Sequence, residues 1–221
     1  MTTVTSRPGP GAPALVTVAH GTRSATGQAQ IRELVARVAR QRPGLDVRLC
    51  YADVQRPRVG EVVQDGVVVP LLLSAGYHVR VDIADAVAGT PAVVAEPLGP
   101  DGVLLESLTR HLPAADAVVL AAAGSKDPAW RASIERIGAD LGAHVAYASG
   151  SDRKVADVVA GLRHRGARRV AIAAYLLADG LFYRTLHRAG ADAVTPPLSL
   201  DPAVVSLVLR RYDLTMALSR L

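Results

Sequence analysis

Hydrophobic residues in the first half of the chain fall into short continuous runs separated by longer amphipathic segments. The runs cover residues 14–19, 46–52, 67–73 and 92–95. The helical segments between and after them cover 27–41, 80–88 and 102–112. Strands that are apolar at every position are buried on both faces, and strands that alternate with helices pair in parallel. The pattern therefore predicts an α/β fold in which helices cover parallel sheets.

The same order of segments returns in the second half of the chain. Four pairs of segments correspond in order: 15–24 with 118–127, 49–63 with 145–159, 69–78 with 173–182, and 96–101 with 196–201. Such internal similarity indicates two copies of one structural unit. We therefore predict two similar lobes, each a small, mainly parallel sheet flanked by helices, with a cleft between them.

The predicted domain organisation follows from this duplication. Residues 14–112 form an N-terminal α/β lobe, and residues 116–221 form a C-terminal lobe that is a degenerate repeat of it. Residues 1–13, MTTVTSRPGPGAP, are rich in proline, glycine and small polar residues. This composition predicts a flexible N-terminal tail.

Composition limits the classes of protein that remain. Half of the 221 residues are hydrophobic, which is enough for a sizeable core. No apolar run approaches the roughly 20 residues of a membrane span, and no signal peptide is recognisable, so we expect a cytoplasmic protein. Cys50 is the single cysteine, which excludes an intrachain disulfide and a cysteine-rich metal site. Any metal must therefore be bound by nitrogen and oxygen ligands.

The charge distribution and the absence of known motifs reduce the number of ligand classes that the protein could bind. The net charge of +5 is spread along the whole chain, and one Trp, one Phe and six Tyr offer little surface for stacking bases, so we expect no nucleic acid. The sequence also lacks a P-loop, an H-E-x-x-H motif and a strand followed by G-x-G-x-x-G. ATP, zinc-protease and dinucleotide functions therefore lack their signatures.

Polar residues follow three of the first-half runs, at the points where the predicted strands end. His20 follows the first run, Asp53 the second and His78 the third. The carboxyl ends of parallel strands meet at one edge of a sheet, so these three side chains are predicted to converge there. The corresponding residues of the second half are Ala123, Ser149 and Phe182. The chain is therefore predicted to have one functional site, in its first half.

Two imidazoles and a carboxylate form a ligand set that suits a divalent iron, cobalt, nickel or zinc ion. Three ligands with an open position suit a metal that must react or be passed on. Asp53 has an alternative, since an aspartate in a turn also bonds nearby backbone N–H groups. For Gly21, Gly76 and Thr22 a backbone role is favoured: the glycines allow positive φ, and Thr22 would cap the following helix.

The segments VAHGTRS, CYADVQRP and VPLLLSAGYHVRVDI together resemble those of the sirohydrochlorin chelatases, the class II tetrapyrrole chelatases, over residues 14–213. The resemblance implies that His20 and His78 are catalytic and bind the metal, with Asp53 as a third metal ligand where the family has a glutamate. Arg23 and Arg80 flank the two histidines and are expected to bind carboxylates of the substrate. Further substrate contacts are expected from the neighbouring residues Gly21, Thr22, Ser74, Ala75, Gly76 and Tyr77.

The resemblance implies insertion of a divalent metal into sirohydrochlorin, Fe²⁺ before Co²⁺, in siroheme or cobalamin biosynthesis. The metal is then a substrate, and no permanent cofactor, nucleic acid or membrane is expected; the chain is expected to be a monomer, with a dimer as the alternative. The short segment after Asp53 predicts a reduced helix beside the cleft. The alternative functions are a non-catalytic metal or tetrapyrrole carrier and a hydrolase with His20 as base, although no nucleophile is found near His20.

Overall fold

The computed structural model describes residues 12–74, 77–150 and 152–219, and for residues 77–80 it describes the backbone only. Its strands are β1 (Leu15–Ala19), β2 (Val47–Tyr51), β3 (Val67–Pro70), β4 (Val93–Val94), β5 (Ala117–Ala122), β6 (His144–Tyr147), β7 (Val170–Tyr175) and β8 (Ala193–Val194). Its helices are α1 (Ala25–Gln41), α2 (Val59–Val62), α3 (Tyr77–Val87), α4 (Gly102–His111), α5 (Pro128–Asp140), α6 (Val155–His164), α7 (Leu181–Leu186) and α8 (Pro202–Leu218), with a 3₁₀ turn at Leu198–Leu200.

The strands form two four-stranded parallel sheets with equivalent orders, β2-β1-β3-β4 and β6-β5-β7-β8. The backbone also repeats at the ends of the strands. The N–H of Asp53 donates to the carbonyl of His20 at 3.0 Å, and the N–H of Ser149 donates to the carbonyl of Ala123 at 3.0 Å. The predicted α/β fold with two similar lobes is therefore confirmed, and so is the pairing of these positions across the repeat.

The central strands of both sheets, β1 and β3 in the first and β5 and β7 in the second, are buried on both faces over most of their length, as their continuous apolar runs require. In β1, Leu15 and Ala19 face a central core between the two sheets, whereas Val16 and Val18 face the outer layer of α2 and α3. The central core is filled by α1, α4, α5 and α8. The second sheet has its own outer layer, made by α6 and α7.

The last helix of each half packs against the sheet of the other half. Helix α4 contacts β7, and α8 contacts β3 and α1. Asp101, which caps α4, accepts hydrogen bonds from Arg210 at 2.5 Å and Arg211 at 2.9 Å of α8. Asp201, which caps α8, accepts hydrogen bonds from Ser107 and Arg110 of α4, both at 2.6 Å. The two halves therefore exchange their last helices, and separate domains at 14–112 and 116–221 stay a prediction.

The structure also bears on the predicted short helix after Asp53 and on the predicted N-terminal tail. Helix α2 has four residues, whereas its counterpart α6 has 10, which confirms the reduced helix after Asp53. Of the predicted tail, residues 1–11 lie outside the described residues, and the carbonyl of Pro13 accepts a hydrogen bond from the Tyr212 hydroxyl at 2.7 Å. No helix within the described residues combines the length and hydropathy needed to cross a membrane.

Candidate active site

A cavity of about 530 Å³ opens at the carboxyl ends of both sheets, and we call it the central cavity. Its walls come from the loops that follow β1, β3, β5 and β7, so both halves contribute. Most of the wall is apolar, with leucines from both halves, Ile31, Trp130 and Phe182. Its polar members are His20, Thr22, Gln55, Ser74, Ser125, Tyr175, Asp179 and Tyr183. This is the position at which open parallel sheets bind their ligands.

The two halves are tied together at this cavity by side-chain hydrogen bonds. The buried hydroxyl of Tyr175, at the end of β7, donates to the carbonyl of Leu73 at 2.8 Å. The indole N–H of Trp130 donates to the hydroxyl of Ser74. Because both acceptors follow β3, these bonds hold the wall from the first half against the wall from the second.

His20 directly follows β1, is exposed and lines the central cavity. The next residue, Gly21, has φ +98°, and a Cβ there would lie 2.3 Å from the carbonyl oxygen of Asp53. Glycine is therefore required at this position, because it allows both the positive φ and the close approach of the two loops. The backbone that carries His20 is fixed against the turn after β2.

Helix α1 begins just after this loop, and its cap differs from the prediction. The side chain of Ser24 is the N-cap and accepts a hydrogen bond from the N–H of Gly27 at 3.2 Å. Thr22 instead accepts a hydrogen bond from the N–H of Ser24 at 3.1 Å, and its own N–H donates to Gln55 at 2.9 Å. The prediction that Thr22 caps the helix is wrong, because the loop runs two residues further before the helix begins.

Asp53 lies beside the His20 loop, and it is not among the described residues that line the central cavity. Its Oδ1 accepts hydrogen bonds from the N–H of Val54 at 2.7 Å and from Arg58 at 3.2 Å. These two bonds, the one from Val54 first, lower the pKa of the Asp53 carboxyl below its ordinary value. This is the bonding of an aspartate in a turn; metal binding by Asp53 stays a prediction.

His78 lies in the first turn of α3 rather than at the end of a strand. The predicted strand 67–73 ends at Pro70, and α3 begins at Tyr77. Because β1 and β3 are parallel neighbours, the loops after both strands leave the same edge of the sheet, which places the backbone of His78 on the side that carries His20. The side chain of His78 lies outside the described residues.

The other predicted substrate contacts divide into two groups. Gly21, Thr22 and Ser74 line the central cavity. Ala75 and Gly76, and the side chains of Tyr77 and Arg80, lie outside the described residues. Arg23 is exposed and is not among the described residues that line the cavity, so its contact with substrate stays a prediction.

The second half repeats the frame of the His20 loop without its histidine. Ala123, which corresponds to His20 in the repeat, also lines the cavity. Gly124 has φ +106°, and its counterpart Gly21 has φ +98°. The hydroxyl of Ser125 accepts a hydrogen bond from the N–H of Asp127 at 3.1 Å, as Thr22 does from Ser24. Ser125 therefore takes part in the capping loop.

Asp179 is a cavity residue that sequence reasoning missed. It follows β7, lines the central cavity and accepts a hydrogen bond from the hydroxyl of Ser24 at 2.5 Å. The sequence signal that could have identified Asp179 is its correspondence to Ala75 in the repeat, which places it in a loop at the carboxyl end of a strand. Among the described side chains, no group of three or more His, Cys, Asp or Glu residues could hold a metal; the predicted set includes His78, which is not among them.

Three solved structures have the same fold. SirB from Bacillus subtilis with Fe³⁺ has a TM-score of 0.76 and 19% sequence identity, covering 95% of this chain and 97% of that chain. SirB from Bacillus subtilis subspecies spizizenii in complex with cobalt has a TM-score of 0.70 and 18% identity, covering 92% and 95%. CbiX, the terminal enzyme for siroheme biosynthesis in denitrifying bacteria, has a TM-score of 0.66 and 23% identity, covering 91% and 98%. Identities this low establish the fold.

The family of this chain is established by a match of its sequence to a family model. No curated protein matches the chain. The model of the CbiX family, however, matches twice, over residues 14–115 and again over residues 117–215. Two matches in tandem agree with the two equivalent sheets and together cover most of the sequence. This chain therefore belongs to the CbiX family, and it contains two copies of the family's unit.

Proposed function

We propose that this protein is a sirohydrochlorin chelatase, which inserts a divalent metal ion, Fe²⁺ or Co²⁺, into sirohydrochlorin. The observation that carries the proposal is the position of His20, an imidazole in the wall of a mainly apolar cavity between two CbiX units. The likeness to one SirB structure with Fe³⁺, another with cobalt and a CbiX of siroheme biosynthesis supports the same activity.

The central cavity offers what a flat macrocycle with a charged rim needs. Leucines 71–73, Trp130 and Phe182 present apolar surface to the faces of the ring. No arginine or lysine occurs among the described residues of the wall, so we infer that the substrate carboxylates stay outside it. Arg23, which is exposed and directly follows the lining residue Thr22, is then the residue proposed to bind them. Binding energy from these remote carboxylates is then available to bend the ring toward the metal.

Insertion requires two inner N–H protons to leave the ring as the metal enters. An imidazole titrates near neutral pH and also binds divalent iron and cobalt, so His20 and His78 serve first as metal ligands and then as proton acceptors. The metal must be held with open positions, since a complete shell of protein ligands would compete with the four ring nitrogens. A site made of few protein ligands satisfies this requirement.

The remaining assignments follow from the same activity. A chain that contains both units supplies by itself the two walls that a shorter relative would have to assemble from two copies, so we infer a monomer. We also infer that it works in the cytoplasm, on a free tetrapyrrole substrate, without nucleic acid or membrane and without a permanent cofactor.

The test is an anaerobic absorbance assay with metal-free sirohydrochlorin and, in separate reactions, Fe²⁺, Co²⁺ and Ni²⁺. The native protein is compared with His20→Ala, with His78→Ala and with His144→Ala as a matched control. His144 is exposed and begins β6, at the end of the strand away from the cavity. We expect insertion to fall about 10²-fold or more in the first two variants and to stay at the native rate in the control.

Two results would contradict the proposal. Tight, stoichiometric binding of sirohydrochlorin or metal with no rate above the uncatalysed reaction would identify a carrier. Native turnover in a protein that lacks both His20 and His78 would remove these residues from the mechanism.

A further inference from the structure

Asp179 is the acidic residue among the described residues that line the central cavity. It lies in the loop between β7 and α7, so it comes from the half that lacks the histidines. Asp53, the carboxylate that the sequence suggests as a metal ligand, is not in this described wall. The cavity thus contains an imidazole from the first half and a carboxylate from the second.

Several contacts fix Asp179 beside the loop that carries His20. Its Oδ1 accepts the hydrogen bond from Ser24, and its N–H donates to Oε1 of Gln30 at 2.7 Å. A Cβ on Gly27 would lie 2.0 Å from the Asp179 carbonyl oxygen, which shows how closely this loop approaches the start of α1. The carboxylate is therefore held in place from the half that provides His20.

The surroundings of Asp179 favour a cation. No described residue donates a hydrogen bond to its second carboxylate oxygen, Oδ2, and no arginine or lysine occurs in the described wall. Its charge reaches the rest of the wall, since the pKa of Tyr183 is raised by burial first and by Asp179 second. A negative charge among apolar side chains attracts a divalent ion more strongly than one in water.

From this arrangement we propose that Asp179 supplies a carboxylate ligand for the divalent metal substrate, together with His20 and before insertion. The inference rests on the proposed function and specifies which carboxylate of this chain acts in it. Asp53 is less suited, because it is not among the described residues that line the cavity and because its carboxylate already pairs with the positive Arg58. Carboxylate and imidazole ligands together suit Fe²⁺ and Co²⁺.

The experiment is an anaerobic titration of the full chain with Co²⁺ alone, followed by calorimetry and by the visible absorption of bound Co²⁺. Asp179→Asn keeps the side-chain size and an oxygen that accepts the Ser24 hydrogen bond, but removes the charge. Asp53→Asn is the same change at the competing carboxylate, the one that the sequence suggests as a metal ligand. We expect Asp179→Asn to weaken Co²⁺ binding about tenfold or more and to change the absorption of the bound ion, and Asp53→Asn to change neither.

A second variant separates metal binding from a structural role. Ser24→Ala removes the hydrogen bond to Asp179 and leaves its charge in place. If Asp179 only holds the two loops together, Ser24→Ala, which removes this bond, should weaken Co²⁺ binding at least as much as Asp179→Asn, which keeps it. The proposal requires a clearly smaller effect from Ser24→Ala, with the Co²⁺ absorption close to that of the native protein.

The results distinguish this inference from the proposed function. Equal Co²⁺ affinity in native protein and Asp179→Asn overturns the inference, as does a loss confined to Asp53→Asn or no binding by the native chain. Insertion of metal by the native protein would leave the proposed function standing in each of these cases. A native protein that binds Co²⁺ through Asp179 without inserting it would instead overturn the proposed function alone.

Discussion

The loops at the carboxyl edges of the two sheets have the same backbone and different side chains. Gly21 and Gly124 both have positive φ, and each lies against the carbonyl of the second residue after the second strand of its half, Asp53 or Ser149. Where the first loop presents His20, the second presents Ala123. The half without the histidine has the same glycine loop, so this loop, which we call the frame, is required by the fold. The fold does not require the histidine.

The two halves also differ beside this frame. In the second half the hydroxyl of Ser149 donates to the carbonyl of Ala123 at 2.6 Å, and this bond joins the loops that follow β5 and β6. At the same position in the first half, the carboxylate of Asp53 accepts hydrogen bonds from Val54 and Arg58. The helix that follows, α2, has only four residues. The first half thus has a charged turn and a shorter covering helix beside its histidine.

The largest effect is expected from alanine at the two frame glycines. A Cβ at Gly21 would lie 2.3 Å from a carbonyl oxygen, and a Cβ at Gly124 would lie 2.7 Å from one. Together with the positive φ, each substitution should lower the free energy of unfolding by about 3 kcal/mol or more, measured by urea denaturation. Only Gly21→Ala should also reduce metal insertion by the folded protein, because it displaces His20.

The rates of the two glycine variants test whether the first loop alone takes part in metal insertion. Rates are measured at a temperature at which both variants are folded by circular dichroism. If Gly124→Ala lowers the rate as much as Gly21→Ala does, the second loop takes part in the chemistry and is more than a frame.

A smaller effect is expected from the exchanged helix caps. Asp201 is more buried than Asp101, with side chains 4% and 13% exposed. Its loss leaves Ser107 and Arg110 without their acceptor, so Asp201→Ala should lower the free energy of unfolding by about 2–4 kcal/mol, and Asp101→Ala by less. Chemical denaturation at neutral pH measures both.

These caps also predict how stability depends on pH. Burial acts to raise the pKa of Asp201, but the hydrogen bonds from Ser107, Ala203 and Arg110 outweigh it, so the pKa in the folded protein lies below the ordinary value. A lowered folded-state pKa stabilises the protein above the unfolded value, near 4, and this contribution is lost as the pH falls through the folded-state value. Asp201→Asn should therefore flatten the acid side of the stability curve. An unchanged slope below about pH 4 would contradict this account.

The sequence predicted the sheets, the duplication and the position of His20, because continuous apolar runs and internal similarity are local signals. It did not predict which sheet each helix covers. The periodicity of α4 and α8 shows that one face is buried, but does not show that the face packs on the other half. Asp179 was missed for the same reason, since its bond to Ser24 joins residues far apart in the chain.

Asp53 illustrates a different limit. An aspartate after a strand is equally typical of a turn and of a metal site, and the residue letter does not separate the two. The structure shows the turn bonding through Val54 and Arg58. The Thr22 cap failed similarly, because both Thr22 and Ser24 have hydroxyls and the start of the helix decides which one caps it.

The smallest effect is expected at the turn that follows Asp53. Val54 has φ +62°, a conformation that is unfavourable for a β-branched residue, and Gly150 occupies the same place in the second half with φ +96°. Val54→Gly relieves about 1–2 kcal/mol of strain but loses about 0.5–1 kcal/mol to the flexibility of the unfolded chain. The free energy of unfolding should therefore rise by at most about 1.5 kcal/mol.

The reverse change tests the same argument. Within the part of the chain that the structure describes, a Cβ at Gly150 would meet only an oxygen of Asp152, at 3.7 Å, so Gly150→Val is penalised by its φ rather than by contacts. It should destabilise the protein by about 1–2 kcal/mol, opposite in sign to Val54→Gly. If Val54→Gly instead destabilises the protein, the valine packs usefully where it is. The strained turn beside His20 would then be maintained by local contacts of the first half, and the resemblance between the two turns would be limited to the backbone.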